Sequence, residues 1–475
     1  MPNPQSPIPN KHLHYLSLII VIILGAILRF GNLDFKPLWM DEIITTIFSL
    51  GKNYQDLPLD KIFSLTKLTD IFTYKPGISC SQIAGNIASQ STHPPLFFCG
   101  MYIWLGWLQS VDMDWIWKVR SLPALFGVAG IFVIYWVNRI AFSPQAGIAA
   151  AACMAVSPFA VYLSQEARHY TLPMLLVSLA LLGLIQIQKD IFQSQKIKFR
   201  VWFFWVVINS FALYVHYFCI LALIAQIATI TILLFGQRRK IQLLKKACLA
   251  LTLSTSGILI SYLPWLMIMF SHSNRSETDW LQVPQHIAPF YQTLINWVLM
   301  VIVLPVEKQP IINVVVSAIL MIVCGVWIGR EFLQGLKKLL IQEETKFATF
   351  TLLSFTVWII IEFFAIIYFL KKDITVVPRY NFIYYPSFCA LLTASLLSRK
   401  KEIIDNRNSK SNYSLKKNRF LILKSPLFII LIMGIISCLF LLLNLVFQKP
   451  FQPEIFAKNL NQEPSIPTMV VVAYS

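Results

Sequence analysis

The sequence predicts an all-α polytopic membrane protein of about 11–13 transmembrane helices. Three observations lead there. Of 475 residues, 57% are hydrophobic and 13% are charged, about half the usual charged share of a soluble protein. Mean hydropathy is +0.65. Apolar runs recur along the whole chain, and a bilayer needs about 20 such residues per helical crossing. Together these exclude a soluble multidomain enzyme and a disordered chain. The balance of 40 Lys+Arg against 22 Asp+Glu, a net +18, would suit nucleic acid in a soluble domain. Here the basic residues fall in short clusters between apolar runs, as cytoplasmic loops do, so no nucleic-acid partner is expected.

The first run, 16–30, ends at Arg29 without a small-residue cleavage site behind it, and reads as an uncleaved span. Further spans are expected at 119–139, 145–162, 170–187, 201–217, 219–236, 247–270, 311–329, 347–370, 379–398 and 426–446. Basic clusters lie at 188–200, 237–246, 330–346 and 399–425, and all four should face the cytoplasm. Parity then requires the short helices 94–109 and 293–305 to be interfacial or re-entrant, leaving about eleven spans. This puts the N-terminus in the cytoplasm and loop 31–92 outside.

The expected organisation is a cytoplasmic tail 1–12, a transmembrane domain 13–446 and an outer tail 447–475. The domain includes outer loop 31–92 and basic cytoplasmic loop 399–425. The tail looks like the start of an outer domain that is short or cut at Ser475. Eight cysteines are present, seven in apolar segments, with no CxxC or Cys/His cluster. Neither a structural disulfide nor a zinc site is expected.

On this plan the unusual polar residues gather at the outer face. Asp41 and Glu42 follow the first span; a carboxylate pair at a membrane surface suits a general base with an orienting or cation-binding helper. The plainer alternative is that both complement the dipole of the helix they open. His93 precedes Pro94-Pro95 and would sit at a helix end, donating to phosphate or sharing a cation with Glu42, or else as a solvated cap. Gln165-Glu166-Ala167-Arg168-His169-Tyr170 is more polar than a short connection needs. Arg168 suits a phosphate, because a planar guanidinium can bind two oxygens; an internal Glu166–Arg168 pair is the alternative. Arg120 opens a span and could meet phosphate or snorkel. His216, within Tyr214-Val215-His216-Tyr217, and Arg379, after Pro378, are weaker candidates of the same kind. No nucleotide-binding or zinc-protease motif occurs. No ligand set requires a metal, although a divalent cation is compatible with the acids.

Six segments in order carry a family resemblance: LGAILRFGNLDFKPLWMDE, THPPLFF, RSLPALFG, SPFAVYLSQEARHY, LYVHYF and PRYNF. Over roughly residues 15–400 the chain resembles the GT-C superfamily of polyprenyl-phosphate-dependent glycosyltransferases. Within it, the resemblance is to bacterial members of the dolichyl-phosphate-mannose–protein mannosyltransferase and aminoarabinose transferase type. The resemblance implies a long first outer loop with short interfacial helices and an inverting transfer of a hexosyl or pentosyl group. The donor would be a polyprenyl-phosphate-linked sugar, and the acceptor a hydroxyl of a lipid, glycan or protein. Asp41 matches the catalytic acid, Glu42 and His93 would flank the acceptor, and Arg168 would lie near donor phosphate. Some relatives carry Lys where His93 stands. The expected location is the plasma (inner) membrane, multi-pass, with membrane lipids around the bundle and the active site on the outer, periplasmic face. The competing reading is a transporter or flippase of a lipid-linked or sugar substrate, which would show internal repeats and paired broken helices.

Overall fold

The computed structural model describes residues 10–58, 61–236, 241–272, 280–408, 425–449 and 457–459. Among them the regular elements are helices: α1 Lys11–Phe30, α2 Met40–Ser49, α3 Leu65–Ile71, α4 Cys80–Gln90, α5 Leu96–Trp107, α6 Trp115–Ala141, α7 Pro144–Ala155, α8 Pro158–Ser164, α9 Thr171–Phe192, α10 Phe199–Leu213, α11 Cys219–Phe235, α12 Ile241–Ser271, α13 Ala288–Leu299, α14 Ile311–Ile341, α15 Lys346–Phe369, α16 Tyr385–Asn408 and α17 Pro426–Leu442. Six of these, α1, α6, α9, α12, α14 and α15, are long and apolar enough to cross a bilayer by themselves.

The helix ends sort onto two faces. The end of α1, the start of α6, the end of α8 and the α10–α11 turn converge through side chains of one polar cluster. At the other face, His14 of α1 bonds Tyr135 of α6 at 2.8 Å, Lys189 of α9 donates to Ile140 O at 3.0 Å, and Arg399 of α16 pairs with Glu331 of α14. The chain therefore alternates between faces through α1, α6, α7–α8, α9, α10, α11, α12, α14, α15, α16 and α17. The shorter apolar helices α10, α11 and α17 complete this alternation by packing within the bundle. The outward side of α14 is mostly apolar: Ile312, Val316, Ile319, Val323 and Val326 are all exposed.

The expected span 145–162 is two helices, α7 and α8, bent by 59°. The local sequence dictates the break. Ser157 caps α8 by accepting from Ala160 N, and Pro158 starts it with the fixed φ that suits a first turn. The freed end of α7 is satisfied by Arg29, whose guanidinium donates to Met154 O and Ala155 O at 2.9 and 3.0 Å. A cation on orphan carbonyls at a helix C-terminus is the arrangement that low-dielectric surroundings demand. Gly127 of α6 makes room for it, since a Cβ there would meet Arg29 Nε at 2.9 Å.

Two other expectations change. The basic segment 330–346 is mostly helix, because α14 runs on to Ile341. Its apolar periodicity continues past the membrane, where Leu336 and Leu339 remain buried. Cys80 and Cys99 form a disulfide, overturning the expectation of none. Cys99 reads as a core residue in sequence; only the fold lays α4 against α5 and brings the two sulfurs together. The short helix α5 lies where 94–109 was expected, whereas α13 starts before the expected 293–305 and ends at Leu299. Loop 31–92 carries α2, α3 and α4. Of tail 447–475, residues 447–449 and 457–459 are described; tail 1–9, Lys240 and residues 409–424 of the basic loop lie outside the described residues.

Candidate active site

The site grows from the turn that joins α1 to α2. Arg120, on the first turns of α6, donates through Nη1 to Leu33 O and Lys36 O, and through Nη2 to Pro37 O. Its Nε and Nη2 grip the two oxygens of Glu42 at 2.8 and 2.7 Å. All five guanidinium hydrogens are thereby used. Glu42 is fully buried and also accepts from Ala167 N at 2.6 Å and Trp39 N at 3.3 Å. The pair staples the first loop to the α8–α9 connection. This corrects two expectations: Arg120 has no donor left for phosphate, and Glu42 has no free oxygen edge with which to share a cation with His93.

Asp41 is the neighbour that points outward. Its Oδ2 lies 3.2 Å from Arg379 Nη2 and 3.8 Å from Arg168 Nη2. Arg168 is fixed by donating from Nη1 to Asp41 O at 2.9 Å and Thr45 Oγ1 at 2.6 Å. The expected Glu166–Arg168 alternative is not formed. Glu166 instead pairs with Lys449, at 2.5 Å. Burial pushes the Glu166 carboxyl up, but the Lys449 ammonium and Arg379 guanidinium outweigh it and hold it below its ordinary value. The Nε atoms of Arg168 and Arg379 are buried with no partner. Two orphaned guanidinium donors beside one carboxylate are what an incoming anion would satisfy.

These groups open into a cavity of about 540 Å³ whose lining includes Trp39, Asp41, His93, Arg168, Tyr170, His216, Arg379 and Tyr380. Tyr170 lies under both guanidiniums, 5.6 Å from Arg168 and 5.9 Å from Arg379. Among the described residues that line it, Asp41 is the carboxylate, and Trp39, Tyr54, Tyr170, Tyr217, Phe218, Trp280 and Tyr380 give it aromatic walls. A smaller cavity of about 180 Å³ lies beyond Arg379, lined also by Tyr162, Glu307 and Lys449.

Sequence reasoning passed over His169 and Lys449. The His169 ring sits between His93, 5.0 Å away, and His216, 4.8 Å away; it is wholly buried, and both nitrogens lack a partner. Burial, reinforced by Arg168 and the neighbouring rings, holds His93 and His169 far below the usual imidazole range, and His216 is lowered to about 3. The three rings form a neutral wall. Lys36 is likewise lowered, to about 8, by burial and by Arg120. Among the described residues no group of three or more His, Cys, Asp or Glu has metal-binding geometry.

The helical bundle, whose third crossing is the broken one, shares its fold with GT-C membrane proteins. Residues 92–268 match the family model for dolichyl-phosphate-mannose-protein mannosyltransferase, so within that class the chain resembles the mannosyltransferase and aminoarabinose transferase type. Similar solved structures include ArnT from Cupriavidus metallidurans bound to undecaprenyl phosphate. It has 12% identity and a TM-score of 0.57, over 97% of this chain and 82% of that one. They also include the Archaeoglobus fulgidus oligosaccharyltransferase tethered to an acceptor peptide. There identity is 12% and the TM-score 0.52, over 96% of this chain and 58% of that one. An archaeal oligosaccharyltransferase AglB from Archaeoglobus fulgidus, in complex with an inhibitory peptide and a dolichol-phosphate, is similar at 12% identity and a TM-score of 0.51, over 96% of this chain and 58% of that one. The chain thus spans little more than half the length of the archaeal enzyme. No curated protein sequence matches it.

Proposed function

We propose that this chain is a membrane glycosyltransferase that moves a hexosyl or pentosyl group from a polyprenyl-phosphate donor to a hydroxyl acceptor, with inversion. The carrying observation is a carboxylate held between two guanidiniums at the mouth of an aromatic cavity, over an apolar bundle. In the proposed step, Asp41 takes the acceptor hydroxyl proton as the oxygen attacks the anomeric carbon from the face opposite the leaving group. The bond to the phosphate oxygen breaks, and the electron pair leaves with the phosphate. Arg168 and Arg379 then meet the charge that develops on it, using Nε donors that no protein group satisfies.

Solved relatives named for undecaprenyl phosphate and dolichol-phosphate support the lipid donor. We place the site on the outer face of the plasma membrane, with the N-terminus in the cytoplasm. The basic residues Lys189, Lys198, Lys338 and Arg399 lie at the opposite face, as cytoplasmic positions should. The Cys80–Cys99 disulfide lies on the site side and suits an oxidising compartment. The transporter reading gains one broken helix, but a second in a matching position does not occur among the described residues.

The test separates binding from chemistry. Asp41→Asn keeps the size of the side chain but cannot accept the proton. Because the change also frees Arg168 and Arg379 from their counter-charge, it is expected to bind undecaprenyl phosphate at least as tightly as wild type and to transfer sugar at least about a hundred-fold more slowly. Near wild-type transfer by this variant would remove Asp41 as the base.

A further inference from the structure

Beyond the last crossing the chain folds back into the site. Phe447 packs on Tyr162 with ring centroids 4.7 Å apart. Gln448 N donates to Glu307 Oε2 at 2.6 Å. Lys449 then reaches Tyr162 Oη at 3.0 Å and Glu166 Oε1 at 2.5 Å, with its ammonium 3.9 Å from the centre of the Trp39 ring. Trp39 caps the helix that carries Asp41, and the same ring receives Arg379 at 4.9 Å. Two cations therefore converge on one indole. One of them holds Asp41 and the other holds Glu166.

We propose that Lys449 is a positioning residue of this site, and that by satisfying Glu166 it keeps Arg379 on Asp41 and available to the donor phosphate. The proposal rests on the glycosyltransferase reading above. Glu166 is 4% exposed, and its Oε2 has no partner. A buried carboxylate cannot be left uncompensated cheaply. Arg379 is the next cation that acts on it, and both Arg379 and Lys449 line the 180 Å³ cavity between them. Without the ammonium, Glu166 competes with Asp41 for Arg379. Loss of the ammonium also lowers the local positive charge by one, and an incoming phosphate loses attraction.

The test uses the full chain in nanodiscs and undecaprenyl phosphate as the probe. Lys449→Met keeps the stem on Trp39 and removes the charge; it is expected to weaken binding at least about tenfold, the scale of one charge-assisted contact. Lys449→Arg should retain most of the affinity. Lys449→Met combined with Glu166→Gln should recover it, because the competing carboxylate is gone. A role in packing alone would not be rescued by the second change. Wild-type affinity in Lys449→Met, or a double variant no better than the single one, would overturn the proposal. Absence of binding by wild-type protein would instead remove the donor reading, and this inference with it.

Discussion

Glu42 holds Nε and Nη2 of Arg120 away from solvent, while Asp41, one residue earlier, meets the cavity through an oxygen shared by two other guanidiniums. The pair of acids that looks alike in sequence thus divides into a clamp and a candidate base. Arg120→Ala would strand a buried carboxylate and is expected to cost about 3–5 kcal/mol of stability. Glu42→Gln keeps one acceptor oxygen, which can still take the Ala167 N–H, and leaves Arg120 on three backbone carbonyls; it should cost less. Thermal midpoints of the purified variants in detergent check the order; equal midpoints for wild type and Arg120→Ala would mean the clamp contributes nothing.

The histidine wall makes a pH statement at the same scale. His216 is lowered from 6.5 to about 3 by burial and by Arg168. Below pH 6.5 the unfolded chain takes up a proton there that the folded chain refuses. Stability therefore falls as pH drops from 6.5 towards 3, and it is fully present above that window. His216→Phe removes this proton uptake and is expected to flatten the decline in thermal midpoint between pH 7 and pH 5. A wild-type midpoint that does not fall across that interval would count against the neutral wall.

At the scale of elements, the site depends on the break between α7 and α8 and on the helices of the first loop. The break aims Gln165–Tyr170 back under Asp41, and Arg29 supplies the hydrogen bonds that the broken ladder lost. The first loop is tied down by its disulfide, which joins the start of α4 to the second turn of α5 across 19 residues. Closing a loop of that size is worth about 2–4 kcal/mol. Cys80→Ser is expected to speed protease cleavage within 31–92 and to lower the thermal midpoint, with reductant having the same effect on wild type. Identical cleavage with and without reductant would show that the link does not hold the loop.

Across the whole molecule, the alternation of helix ends and the placement of basic residues give one testable topology. A reporter at Gln195 should read cytoplasmic, and one at Ile62 should read outside. The reverse result at either position would invert the proposed membrane orientation and move the site to the other compartment.

Much of this was legible in sequence because lipid leaves few choices. A chain this apolar must satisfy its backbone inside helices, so composition alone implied the class, and charge clusters implied the sidedness later proposed. Asp41, His93, Arg168, Tyr170, His216 and Arg379 stood out as polar groups where a membrane protein does not spend them lightly, and the fold brings them to one cavity. Pairing was not legible. Which cation serves which carboxylate depends on distances between residues such as Arg120 and Glu42, 78 positions apart, or Lys449 and Glu166, 283 apart. The sequence by itself therefore determined an α-helical membrane bundle with its polar residues gathered at one face. Only the tertiary structure decided that Glu42 is sealed, that Asp41 lines a cavity between two guanidiniums, and that the segment after the last crossing returns to the site. The physical reason is that burial in a nonpolar bilayer acts on each segment separately, whereas charge compensation acts between segments that only the fold brings together.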